Sequence, residues 1–108
     1  MRRYLQDVGF RVDCAREPKE AEALLERSSY DCLIADICLT QGRGPDGLEV
    51  IGFARAASPR TRIVVLTAIE DPAAEAEARR LGADLYLHKP VLLAEVVRLV
   101  NGLASPAA

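Results

Sequence analysis

The chain has 108 residues, the size of one ordinary domain, and a chain of that length buries roughly 65% of its unfolded surface, enough for a single unaided core. Half of the residues are hydrophobic and 28% are charged, which places the sequence among globular proteins rather than disordered or fibrous ones. A net charge of −2 gives no electrostatic case for nucleic-acid binding, and no stretch approaches the ~20 apolar residues of a membrane span. Cys14, Cys32 and Cys38 show neither CxxC spacing nor an even count, so a disulfide framework is not expected and a reducing cytoplasm fits. Cys14 and Cys32 lie in apolar strand-like runs, where a free thiol behaves as a small hydrophobe. The first residues are basic but lack the apolar core of a signal peptide.

Two hydrophobic periods alternate along the chain. Residues 2–8 read as a helix, and Phe10 to Ala15 as a strand, with Phe10, Val12 and Cys14 on one pleat face. Pro18 suits a first helical turn, after which Ala21, Leu24, Leu25 and Ser28 share one helical face. Asp31 to Ile37 is apolar on both pleat faces apart from its two aspartates, the pattern of a parallel strand covered on both sides. A glycine-containing loop, Cys38 to Asp46, leads to a helix over Leu48 to Ala57 that Ser58-Pro59 ends.

Arg62 to Thr67 is the clearest strand. Asp71-Pro72 opens an alanine- and glutamate-rich helix that Gly82 closes. Asp84 to His88 is a short strand, and Val91 to Leu103 a helix with Val96, Val97, Val100 and Leu103 inward. One domain is expected over residues 1–103, with residues 104–108 as a tail or linker stump. Strict alternation with short connections predicts an α/β fold with a parallel sheet and right-handed crossovers.

Ligands of open α/β sheets bind at the carboxyl ends of the strands. Asp36, Thr67 and Lys89 stand at three such ends, after Leu33-Ile34-Ala35, Val64-Val65-Leu66 and Leu85-Tyr86-Leu87. A carboxylate can attack phosphorus, a hydroxyl can hydrogen-bond a phosphoryl oxygen, and an ammonium can neutralise its charge. Each residue alone has a plainer reading: Asp36 as a turn former, Thr67 as a β-former, Lys89 as a solvated charge. Their convergence favours the site. His88, the only histidine, reads as a surface strand position rather than a metal ligand, and Cys38 as an inert loop thiol. Gly42-Arg43-Gly44-Pro45-Asp46-Gly47 matches GxGxxG, but Pro45 stiffens it and the chain holds about one of the two βαβαβ halves of a dinucleotide domain. A small nucleotide-binding enzyme is therefore the third reading.

Tyr30-Asp31-Cys32-Leu33-Ile34-Ala35-Asp36-Ile37, Pro45-Asp46-Gly47-Leu48-Glu49-Val50, Ile63-Val64-Val65-Leu66-Thr67-Ala68 and Leu81 to Pro90 occur in an order that resembles the receiver domains of two-component response regulators. The resemblance implies a flavodoxin-like doubly wound sheet of strand order 2-1-3-4-5. It makes Asp36 the phosphoacceptor, Thr67 the switch hydroxyl, Tyr86 the aromatic whose rotamer follows activation, and Lys89 the bridge between acceptor and phosphoryl group. The Lys89–Pro90 bond is expected to be cis. Cys38 and Ile69 occupy positions where the family tunes dephosphorylation.

The implied role is a phosphoryl-accepting switch, not a turnover enzyme. It would be served by a histidine kinase or phosphotransfer protein and act on a fused or separate effector, with a homodimer left open. Neither nucleic acid nor membrane is an expected partner of this domain. The alternative is a receiver-shaped interaction module that works without phosphorylation.

Family members hold Mg²⁺ with two acidic residues at the end of a first strand, and neither strand nor acids is found in this sequence. The expectation is thus a receiver lacking its first strand and the start of its first helix, with Asp36 and the Cys38 carbonyl as its only assignable metal ligands. The absent strand would lie between Phe10–Ala15 and Asp31–Ile37, leaving its neighbours with unpaired backbone groups.

Overall fold

The computed structural model describes residues 2–15, 18–37, 48–68 and 72–104. Its elements in chain order are α1 (Arg2–Asp7), α2 (Pro18–Arg27), β1 (Cys32–Ile37), α3 (Leu48–Ala57), β2 (Arg62–Thr67), α4 (Pro72–Leu81), β3 (Leu85–His88) and α5 (Leu93–Ala104). The three strands form one parallel sheet in the order β1-β2-β3. This is a flavodoxin-like α/β fold.

The unbroken apolar run Ile63-Val64-Val65-Leu66 becomes the central strand because it can bury both faces. Each of these residues is at most 1% exposed. Ile63 and Val65 point into a cluster with Leu25 of α2, Leu48, Ile51 and Ala54 of α3, Ala78 of α4 and Tyr86 of β3. Val64 and Leu66 alternate to the opposite face. α5 packs against β1, and its Val96 and Val100 are buried. Gly52 lets α3 and α4 approach, since a Cβ there would stand 3.3 Å from Leu81 Cδ2.

Two expectations are corrected. Phe10–Ala15 is not a strand: the sheet among the described residues has three strands, none of them there. A strand exists only with a partner at about 4.8 Å, and alternation alone cannot supply one. Phe10 N–H instead donates to the Leu5 carbonyl at 3.0 Å, closing α1, and Asp13 accepts a side-chain bond from Tyr30 Oη at 2.5 Å. Cys14 is consequently exposed rather than buried, whereas Cys32, inside β1, is half-buried. The C-terminal helix begins at Leu93, two residues after the expected Val91.

The amino ends of the strands are closed by a dense polar network centred on Arg55 of α3. Its guanidinium donates to the carbonyls of Pro59 (2.6 Å), Thr61 (3.2 Å) and Gly82 (2.7 Å) and to Asp84 Oδ2 (2.9 Å). Asp84 Oδ2 also accepts from Ile63 N–H at 2.8 Å, and Asp84 N–H donates to the Ile63 carbonyl at 2.8 Å. Buried Thr61 donates its hydroxyl to the Tyr30 carbonyl at 2.7 Å, so Ser58 must donate in the 2.7 Å contact between the two hydroxyls. Gly82 ends α4 in the left-handed region (φ 121°), with the paired bonds Gly82 N–H to Arg79 and Ala83 N–H to Ala78 of a Schellman motif.

Candidate functional site

The parallel register decides which polar residues meet. Asp36 of β1 pairs with Leu66, and the next residue, Ile37, with Thr67 at the end of β2. Thr67 in turn pairs with His88, so Lys89 emerges beside it. Lys89 N–H donates to the Thr67 carbonyl at 2.7 Å, carrying the ladder one residue past β3 and aiming the Lys89 side chain across the strand ends. The Lys89–Pro90 peptide bond is cis.

The Lys89 ammonium donates to Asp36 Oδ2 at 2.7 Å across 53 residues of sequence. The carboxylate side chain is 51% exposed and the ammonium side chain 36%, so this ion pair is open to incoming ligands. An exposed pair of this kind contributes about 0–1 kcal/mol to stability. Thr67 is the opposite: it is 1% exposed and held in the sheet. The structure thus brings Asp36 and Lys89 into contact and sets Thr67 between them in the sheet.

Tyr86 is buried, 8% exposed, and its ring meets the exposed His88 ring edge-to-face at 5.6 Å. Alternation places both rings on one pleat face of β3. Cys38, Ile69 and the glycine-containing loop at residues 42–47 lie outside the described residues.

The sequence reading did not anticipate the surface next to this pair. An open cavity of about 450 Å³ is lined by Leu66, Ala68, Lys89, Pro90 and Val91. Leu92 beside it is 79% exposed. The available signal was the apolar run Val91-Leu92-Leu93 immediately after Lys89-Pro90, read as the start of a helix rather than as surface.

Among the described residues, no group of three His, Cys, Asp or Glu side chains gathers to hold a metal ion. Asp36 by itself does not make a divalent-cation site among the described residues. Among the described residues, no helix is long and apolar enough to cross a membrane.

Comparison with known proteins places this geometry in context. The family model of the response regulator receiver domain matches residues 1–101. The chain is 34% identical over 108 residues to the transcriptional regulatory protein QseB of Escherichia coli O157:H7, covering 94% of this chain and 48% of that protein. It is 35% identical over 99 residues to the transcriptional regulatory protein PhoP of Escherichia coli K12, covering 92% and 43%. The chain therefore spans under half the length of these curated relatives. A Burkholderia pseudomallei response regulator, solved with a phosphorylated aspartic acid, calcium ion and citrate, superimposes with a TM-score of 0.79 at 29% identity, over 94% of this chain and 58% of that one. A CheY-like receiver domain protein from Methanospirillum hungatei JF-1 gives a TM-score of 0.85 at 22% identity, over 94% and 79%, a likeness of fold.

Proposed function

The chain belongs to the response regulator receiver family, the signalling module of two-component systems, and from that premise we propose that it works by accepting a phosphoryl group on Asp36. The observation that carries this reading is the 2.7 Å contact between Lys89 Nζ and Asp36 Oδ2 at adjoining strand ends. An exposed carboxylate with one mobile cation against it is a nucleophile that a phosphodonor can reach.

In the step proposed, an Asp36 carboxylate oxygen forms a bond to the phosphorus of a phosphohistidine on a kinase or phosphotransfer protein. The phosphorus–nitrogen bond breaks, the imidazole keeps that electron pair, and a proton from solvent restores its neutral form. Lys89 then bridges the new acyl phosphate, and its charge opposes the repulsion between two anions. Thr67 hydrogen-bonds a phosphoryl oxygen, and Tyr86 reports the change to the surface as a population shift between two packings. Mg²⁺ is the divalent cation expected of the family, and Asp36 is the described residue that could contribute to holding it. Water later hydrolyses the acyl phosphate, so the domain is a switch that resets rather than a turnover enzyme. It acts in the cytoplasm on a fused or separate effector.

The test is intact-mass spectrometry after incubation with acetyl phosphate and Mg²⁺. One phosphoryl adduct is expected on the native sequence and none on Asp36→Asn. An adduct that persists in Asp36→Asn removes the assignment. No adduct on either chain, with partner binding intact, moves the reading to an interaction module that works without phosphorylation.

A further inference from the structure

We propose that His88 is a positioning residue of this switch. Its ring ties Tyr86 to the strand end where Thr67 stands, and so sets how far Tyr86 follows a change at Asp36. The proposal rests on the reading of Asp36 as phosphoacceptor. By sequence His88, the only histidine, has no more than a surface place, and it is indeed exposed. Two observations give it more.

The first is the pleat face that each residue takes. Asp36 pairs with Leu66 and Leu66 with Leu87, so these three share one face. Thr67 pairs with His88 and Val65 with Tyr86, which places all four on the other face. The carboxylate that would attack phosphorus and the ring that would report it therefore lie on opposite sides of the sheet. The short route between them runs around the strand ends. There Thr67 and His88 stand opposite each other on strands ~4.8 Å apart. Tyr86 lies one side-chain step farther back, in the core cluster with Val65 and Ala78.

The second is the ring contact. The His88 and Tyr86 rings meet edge-to-face, with centroids 5.6 Å apart and planes at 74°. This is a preferred aromatic geometry, with an attraction beyond that of buried area. It joins an exposed ring to a buried one, so Tyr86 leaves its buried packing only by breaking it. A ring at position 88 favours that packing by about two- to tenfold over an aliphatic side chain of similar bulk. In the proposed transfer Thr67 turns to a phosphoryl oxygen. That alters the surroundings of the His88 ring directly across the strands, and the ring passes the change to Tyr86.

Nitration of Tyr86 by tetranitromethane reads its exposure, and the tryptic segment 81–98 holds no other tyrosine and no cysteine. His88→Leu keeps bulk but loses the aromatic ring, and His88→Phe keeps the ring. In the unphosphorylated chain, His88→Leu is expected to raise the nitration rate about two- to tenfold, and His88→Phe to leave it near the native value. Acetyl phosphate and Mg²⁺, with the adduct counted by intact mass, should then change the rate on the native sequence. That change should shrink in His88→Leu and return in His88→Phe, while each chain still takes up one phosphoryl group. Equal rates in the three unphosphorylated chains overturn the inference, as does a phosphorylation-dependent change that His88→Leu keeps in full. A loss shared by His88→Leu and His88→Phe overturns it too, because the ring would then not be what acts. Absence of an adduct on the native sequence defeats the reading of Asp36 alone, and the unphosphorylated rates still decide whether His88 holds Tyr86.

Discussion

The two ends of this sheet are built in opposite ways. At the amino ends, one arginine, Arg55, makes four hydrogen bonds to three backbone carbonyls and a carboxylate, and Thr61 is fully buried with its hydroxyl committed. At the carboxyl ends, Asp36 and Lys89 meet through one bond between half-exposed side chains, beside an open cavity. The same parallel strands serve both. Tight satisfaction at one end fixes where the strands start, so the register delivers Asp36, Thr67 and Lys89 together at the other end, where the Asp36–Lys89 pair is exposed. In the proposed phosphoryl transfer Asp36 and Lys89 change partners, which an exposed pair allows, whereas the closed end serves as a frame that need not move.

This contrast can be broken at either end, and the closed end should give the larger effect. Arg55→Ala strands the Asp84 carboxylate and the Gly82 and Thr61 carbonyls in a half-buried setting. It is expected to lower stability by about 2–4 kcal/mol in a urea titration. The folded fraction should still take up phosphate, because Arg55 touches nothing at the other end. A loss below about 0.5 kcal/mol would mean that the network is decoration.

A smaller effect is expected from Cys32, at the start of β1. Burial, helped by the nearby Asp84 and Asp31 carboxylates, pushes its thiol up to about 11. The folded state therefore keeps a proton that the unfolded chain releases. That stabilisation is complete below the ordinary thiol range and is lost as pH rises toward 11. Between about pH 9 and 11 the native sequence should lose roughly 1–2 kcal/mol more stability than Cys32→Ala. Parallel pH–stability curves for the two chains would show that Cys32 feels the closed end less than its burial implies.

The smallest stability effect belongs to the open end. Lys89→Ala removes the ion pair with Asp36 and should change the unfolding free energy by less than about 1 kcal/mol. Phosphoryl uptake by the same variant should slow by an order of magnitude or more. A large stability loss with unchanged uptake would reverse the assignment of the two ends.

Much of this was legible before any coordinates. Ile63-Val64-Val65-Leu66 reads as the clearest strand, and Asp36, Thr67 and Lys89 are each marked by an apolar run that stops at a polar residue. The strand at Phe10–Ala15 was misread for a physical reason. Its alternation of Phe10, Val12 and Cys14 states a preference, and a strand needs a neighbour to hydrogen-bond. Arg55 gave no signal at all, because an arginine near a helix end looks the same whether it is solvated or closing the starts of two strands.

The residues by themselves determined the alternation of elements, the parallel class of the sheet and the three side chains at its carboxyl ends, because period and composition act locally. Tertiary structure alone decided that Lys89 lies 2.7 Å from a carboxylate 53 residues away and that Cys14 is exposed while Cys32 is not. Those outcomes depend on register and on which strands find partners. Both are settled by backbone hydrogen bonds between distant segments, and a residue's type does not name its partner.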